Sequence, residues 1–307
     1  MLSTREGARG PSWLLIVFIV GVPYAVLSRL AFTWFDANGV NASFFPSAGV
    51  TLAALVLLRP RLWPAALLGA GLAEFSLDLY HDITPAAALG YTAANLTQPL
   101  VGALLLGRTR RNLDISRLGQ LTLFLLVAVG AGPLVGGMLG ATTHHYLVDD
   151  TGDWSRFAVE WWVGDGLGVL VVGGSLIGLR SARLVGGGRA RAVETTLLVL
   201  AAAVSTFVTF HFDWFVMFYV PMVLLFVTAV RVGTRGVAVA GAAVAFIAAE
   251  GTARGHQFWA TLDVDNPTGL LYLQLALTVL ISSALGMSAA LAEREMSMLA
   301  SAAAAAA

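Results

Sequence analysis

Between Glu160 and Leu170 two carboxylates, Glu160 and Asp165, stand beside Trp161 and Trp162 in an otherwise apolar, glycine-rich stretch. A carboxylate held in hydrocarbon is costly unless something answers its charge, so such a group shares a proton, binds a cation or holds a ligand. Glu74 and Glu250 lie in similar apolar runs, and Asn95 and Gln98, at i and i+3, place two amides on one helical face. With Asp78, and with Phe44, Phe45, Trp161 and Trp162 as walls, they would outline an outward-facing polar cavity for a ligand with both polar and apolar parts. The candidate ligand-binding residues are therefore Asp165, Glu160, Trp161, Trp162, Glu74, Asn95, Gln98, Phe45 and Glu250, with Arg29 a candidate partner for the carboxylates. Alternatively, Glu160 and the tryptophans sit at the headgroup level as a belt, and Asn95 and Gln98 make interhelical hydrogen bonds worth about 0.6 kcal/mol each.

Other chemistries lack their residues. Cysteine is absent, which removes disulfides, thiolate metal sites and cysteine nucleophiles. His81, His144, His145, His211 and His256 fall near the outer ends of apolar segments with no histidine pair at i, i+4, so no metal, haem or other cofactor is expected. Gly164-x-Gly166-x-Gly168 follows no strand and is no nucleotide loop. No nucleophile elbow or Ser-His-Asp order can be drawn, and no catalytic residue is assigned.

The elements that must position the acids are membrane spans. Of 307 residues, 58% are hydrophobic and 12% charged, and mean hydropathy is +0.80, which together exclude a soluble globular domain. Formal net charge is zero and no basic arm occurs, so no nucleic acid partner is expected. Pro, Gly and Arg boundaries divide the chain into ten apolar segments, about 12–35, 46–58, 61–80, 85–107, 118–145, 154–179, 194–210, 214–230, 234–252 and 268–294. Asn38-Gly39 marks a turn before the second. Arg5 and Arg9 precede the first, which has no small-x-small cleavage site and reads as a retained span. The second segment is short and the seventh and eighth form a tight hairpin, so the expected fold is an all-α polytopic transmembrane bundle of 8–10 spans.

Arginines follow every even-numbered segment, and 15 of the 18 fall on one side. That side is cytoplasmic by the positive-inside rule, which puts both termini there. The opposite loops carry Asp36, Asp82, Asp149, Asp150, Asp153, Asp213, Asp263 and Asp265. A weak parallel repeat relates spans 1–4 to spans 7–10: Pro46 to Glu74 spans 28 residues and Pro221 to Glu250 spans 29, each passing an arginine turn. If the repeat holds, Glu74 and Glu250 occupy equivalent depths. The tenth segment runs on through Ala292-Glu293-Arg294-Glu295-Met296 without a stop signal, so it should project into the cytoplasm. Ala302–Ala307 are six consecutive alanines, which suggests a truncated terminus.

Phe44-Phe45-Pro46-Ser47-Ala48-Gly49-Val50, Arg61-Leu62-Trp63-Pro64-Ala65, Leu68-Gly69-Ala70 and Trp161-Trp162-Val163-Gly164-Asp165-Gly166-Leu167-Gly168-Val169-Leu170 occur in an order and spacing that resemble the first type of bacterial membrane-associated sensor domain, the integral membrane input module of diguanylate cyclases and histidine kinases. The resemblance covers about 12–294. It implies about eight spans, signal input without catalysis, and output through two-component or cyclic di-GMP signalling. Residues 1–11 would be a cytoplasmic tail, 12–294 the sensor and 295–307 the start of a signalling helix, in the bacterial inner membrane. Expected partners are the lipid bilayer, an unidentified small ligand or membrane partner, a fused or associated cytoplasmic output domain, and a second copy in a homodimer. Buried carboxylates and an internal repeat also suit a secondary transporter with a midplane site, and a bare anchor that dimerises would share the composition.

Overall fold

The computed structural model describes residues 12–34, 44–181, 189–256 and 266–306. The N-terminal tail, the Asn38-Gly39 turn, Arg183, Asp263 and Asp265 lie outside them. No strand occurs among the described residues, which form ten helices in the predicted places. These are α1 (Trp13–Trp34), α2 (Ser47–Leu57), α3 (Trp63–Tyr80), α4 (Pro85–Leu105), α5 (Leu118–Leu147), α6 (Trp154–Gly168 continuing through Val169–Gly173 and Gly174–Ser181), α7 (Arg189–His211), α8 (Tyr219–Arg231), α9 (Thr234–Ala253) and α10 (Asn266–Ala306). Both α5 and α6 contain π-helical stretches, Phe124–Ala131 and Val169–Gly173.

Among the described residues seven helices are long and apolar enough to cross a bilayer: α1, α3, α5, α6, α7, α9 and α10. The other three are shorter or more polar. At 1.5 Å per residue α2 and α8 cover only about 16–20 Å of a hydrocarbon core of roughly 30 Å. α4 is 21 residues long but carries Tyr91, Asn95 and Gln98, and it is not among the seven. The helix ends predicted to share one side do meet. Arg180 donates to the Leu57 carbonyl at 3.3 Å, Arg231 pairs with Glu194 at 2.6 Å, Arg110 lies 4.6 Å over the Trp63 ring, and the Leu118 amide donates to Glu293 at 2.9 Å.

Helix packing repeats as the sequence repeat requires. α1 packs on α2 and α3, α2 on α3 and α4, and α3 on α4; α7, α8, α9 and α10 meet one another in the same pattern. α5 and α6 stand between the two sets. α6 is the most enclosed span, with 67% of its apolar window buried against 22% for α7, whose apolar residues face lipid. Ser175 Oγ of α6 donates to the Ala238 carbonyl of α9 at 3.0 Å, and the buried Thr234 and Ser288 hydroxyls join α9 to α10 at 2.9 Å. α10 also packs against the Trp154–Gly168 stretch of α6. Its 41 residues make a rod of about 60 Å, twice the hydrocarbon thickness, and residues 292–306 leave the bundle as the missing stop signal predicted.

Asp153 starts α6 by accepting from the Ser155 and Arg156 amides at 2.9 and 3.2 Å. The Ser155 hydroxyl, then the Arg156 amide, hold its carboxyl below the usual aspartate range. A depressed carboxylate stabilises the fold above its unfolded value of roughly 3.9 and loses that contribution as pH falls through the lower folded value. Asp153→Ala is therefore expected to lower the unfolding temperature in detergent at neutral pH. The gap to wild type should close under acid, and Asp153→Asn should retain most of the cap.

Candidate functional site

The site begins with the glycines of α6. A Cβ at Gly168 would run into the Phe45 carbonyl, and one at Gly166 into the Val129 carbonyl of α5. The Phe45 amide donates to the Gly164 carbonyl at 3.4 Å. All three glycines of the run thus serve backbone approach, two of them to the chain entering α2. Gly49 returns the contact, since its Cβ would meet the backbone of Gly168 and Gly173. Ser28 Oγ donates to Ser47 Oγ at 2.8 Å, and Ser47 Oγ donates to the Tyr24 carbonyl at 2.9 Å, which ties the first residue of α2 to α1. α2 therefore starts in the protein interior, beside the middle of α6.

Around this junction lies a buried polar cluster drawn from four helices. Glu74 (α3) accepts from Tyr24 Oη (α1) at 3.0 Å and from Asn95 Nδ2 (α4). Asp165 (α6) accepts from Trp161 Nε1, one turn earlier, at 2.8 Å. Glu74, Asp78, Asn95, Gln98 and Asp165 are each no more than 4% exposed. Tyr24, Glu74, Asp78 and Asp165 lie close to one another in this cluster. Gln98 lies beside Asp165, yet neither of its amide atoms makes a well-formed hydrogen bond among the described residues, and Asp78 Oδ2 and Asn95 Oδ1 are also unpartnered. Counted along the helices, Glu74 lies about 9 Å from the outer end of α3 and Asp165 about 16 Å from that of α6.

An aromatic arm links the cluster to the outer end of the bundle. Trp161 packs against Tyr91 (ring centroids 5.6 Å) and Phe157 (5.9 Å), Phe157 stacks on His144 at 4.3 Å, and the Tyr91 hydroxyl is 2.9 Å from His144 Nδ1. Gly136 and Gly140 of α5 make room for it, because a Cβ there would strike Gln98 and the Trp161 ring.

The structure gathers six of the predicted site residues, Asp165, Trp161, Glu74, Asn95, Gln98 and Phe45, the last edge-on to Tyr24 at 6.1 Å. Three stand apart. Glu160 pairs with Arg156 at 3.0 Å at the rim, Glu250 pairs with Arg254 one turn further along α9, and Trp162 donates to the Gly130 carbonyl at 2.9 Å as an α5–α6 tie. Glu250 is about 4.5 Å from the end of its helix, shallower than Glu74, so the two are not equivalent in depth. Arg29 does not join the acids; it donates to Tyr80 Oη at 3.3 Å and lies 4.5 Å over that ring. Tyr24, Tyr91 and His144 belong to the site and were not singled out for it from sequence. Tyr24 follows Pro23 inside an apolar span, the one signal that this face of α1 is not ordinary lipid contact.

A family model, MASE1, matches residues 13–295, essentially the whole described bundle and both loose motifs that line the α2–α6 junction. No curated protein and no solved structure matches.

Proposed function

The chain belongs to the MASE1 (membrane-associated sensor 1) family of multi-pass membrane sensory domains, and on that premise we propose that the polar cluster of α1, α3, α4 and α6 is its sensing site and α10 its output rod. The observation that carries this is a set of three buried carboxyl groups with unpartnered amide and carboxyl oxygens beside them, one of which, Asp165, belongs to the helix against which α10 packs. Buried polar groups without partners destabilise a fold, so their retention here fits a site whose occupant completes them. α10 meets α5 through Glu293, meets α6 and α9 along its membrane stretch, and then continues beyond the bundle, so a shift at Asp165 has a mechanical route to the cytoplasmic side. The arginine distribution supports cytoplasmic termini, and the family supports placement in a bacterial inner membrane. The output attached to α10 would be a cyclase, kinase or phosphatase of the same cell, supplied by fusion or by association, and a homodimer would let paired rods act on it.

The test is a fusion carrying a diguanylate cyclase reporter in register after Ser301. Asp165→Asn is expected to change reporter output by about fivefold or more, the lower end of ordinary coupling between sites, while Glu160→Gln leaves it unchanged. The short α2 and α8, at corresponding positions of the two repeats, favour a transporter as the second reading. Substrate uptake lost in Asp165→Asn with unaltered reporter output would select it.

A further inference from the structure

Three acids are buried together, and no arginine or histidine among the described residues pairs with them: Arg29 turns to Tyr80, Arg156 to Glu160 and Arg254 to Glu250. Protons or a cation from outside the chain must answer them. A metal ion demands several oxygens converging within roughly 2.0–2.6 Å of one point, and no group of three acidic or histidine side chains among the described residues is disposed to hold one. What the cluster offers instead is separated acceptors. Asp78 Oδ2, Asn95 Oδ1 and Gln98 Oε1 are buried and unpartnered, and Glu74 and Asp165 already hold one or two donors each with acceptor capacity to spare. Gln98 is the independent sign of a ligand: it is 1% exposed, lies beside Asp165 and Gly136, and neither of its amide atoms makes a well-formed hydrogen bond among the described residues. The rings of Tyr24, Tyr91 and Trp161 border the same space, and aromatic rings favour an organic cation over a hydrated metal.

We infer that the cluster of Glu74, Asp78, Asp165, Asn95 and Gln98 binds a small ammonium-type cation, a protonated amine whose N–H groups radiate to these acceptors. This rests on the proposed sensing site and names its ligand class. The N–H donors would complete the free oxygens of Asp78, Asn95 and Gln98, the positive charge would answer the carboxylates, and the outer His144–Tyr91–Trp161 arm marks the side from which the cation enters.

The purified chain in lipid nanodiscs, unfolded thermally with increasing methylammonium chloride, tests it. A saturable rise in unfolding temperature is expected, absent with sodium chloride or tetramethylammonium chloride at equal ionic strength, since tetramethylammonium has the charge but no N–H. Asp165→Asn and Glu74→Gln should each weaken the apparent affinity by about tenfold or more, and Glu160→Gln should not. An equal rise with sodium or tetramethylammonium overturns the assignment in wild type alone, without reliance on any variant. A methylammonium response unchanged in Asp165→Asn and Glu74→Gln overturns it as well. If methylammonium fails to bind while reporter output still depends on Asp165, the ligand class falls and the sensing site stands. If it binds as expected and output is indifferent to Asp165, the cation site stands and the sensing role falls.

Discussion

Gly168→Leu is expected to yield no folded, monodisperse domain in detergent. The added side chain would begin inside the Phe45 carbonyl and beside Pro46, at the point where the chain enters α2. Overpacking a core ordinarily costs about 1–3 kcal/mol because side chains can turn aside. Here the obstacle is backbone on both helices, and α2 is held there from its other side by the Ser28–Ser47 pair, so the cost lies at or above that range. Losing the junction also releases the entry of α2 from Asp165's helix, so stability and site fail together. Gly49→Leu should behave alike, since its Cβ meets the same backbone. Gly286→Ala, where nothing lies within 4 Å, should be neutral or raise stability by about 0.4–1 kcal/mol. Size-exclusion profile and thermal unfolding of the three proteins check the set.

Glu74→Ala should be the second most damaging change. It removes the acceptor of Tyr24 Oη and Asn95 Nδ2 and leaves two buried donors unpaired. Each orphaned donor costs about 1–3 kcal/mol in a soluble core, but interhelical hydrogen bonds in membranes average only about 0.6 kcal/mol. A charged acceptor shared by two donors falls between these limits, so a loss of about 2 kcal/mol is expected. Glu74→Gln keeps one acceptor oxygen and should recover about half of it. Both are expected to lose the reporter response, because the carboxylate is gone in each. Alanine destabilised and glutamine unresponsive but with about half of that stability restored, measured by thermal unfolding and reporter output, would separate the packing role of Glu74 from its charge.

How far the chain could be read in advance depends on the range of the forces involved. Helix ends are set locally, by Arg61-Leu62-Trp63-Pro64 at α3, Thr84-Pro85 at α4 and the Asp153 cap at α6, and the ten predicted segments match the ten helices. How the ten helices divide by length was less legible, because α2 and α8 are as apolar as the longer helices. Within the site, burial of the acids followed from local partners. Glu160 has Arg156 four residues before it and Glu250 has Arg254 four residues after, and each acid took that partner and stayed near the rim. Glu74, Asp78 and Asp165 have no arginine within one turn, and those three are buried together. Weighing that spacing above the repeat would have set Glu250 aside. Beyond the neighbouring Pro23, Tyr24 was not legible, because the register of α1 against α3 is decided by the close approach of Gly21 and Gly69 across a tertiary contact.

The most direct check uses the absence of cysteine, which makes the chain a clean background for spin labels. Labels at Ser301→Cys on α10 and Asn112→Cys after α4 report the distance between the rod and the arginine-rich end of the bundle. Coupling between the buried acids and α10 predicts that adding Asp165→Asn shifts this distance distribution while adding Glu160→Gln leaves it in place. Superimposable distributions for wild type and Asp165→Asn would contradict the coupling.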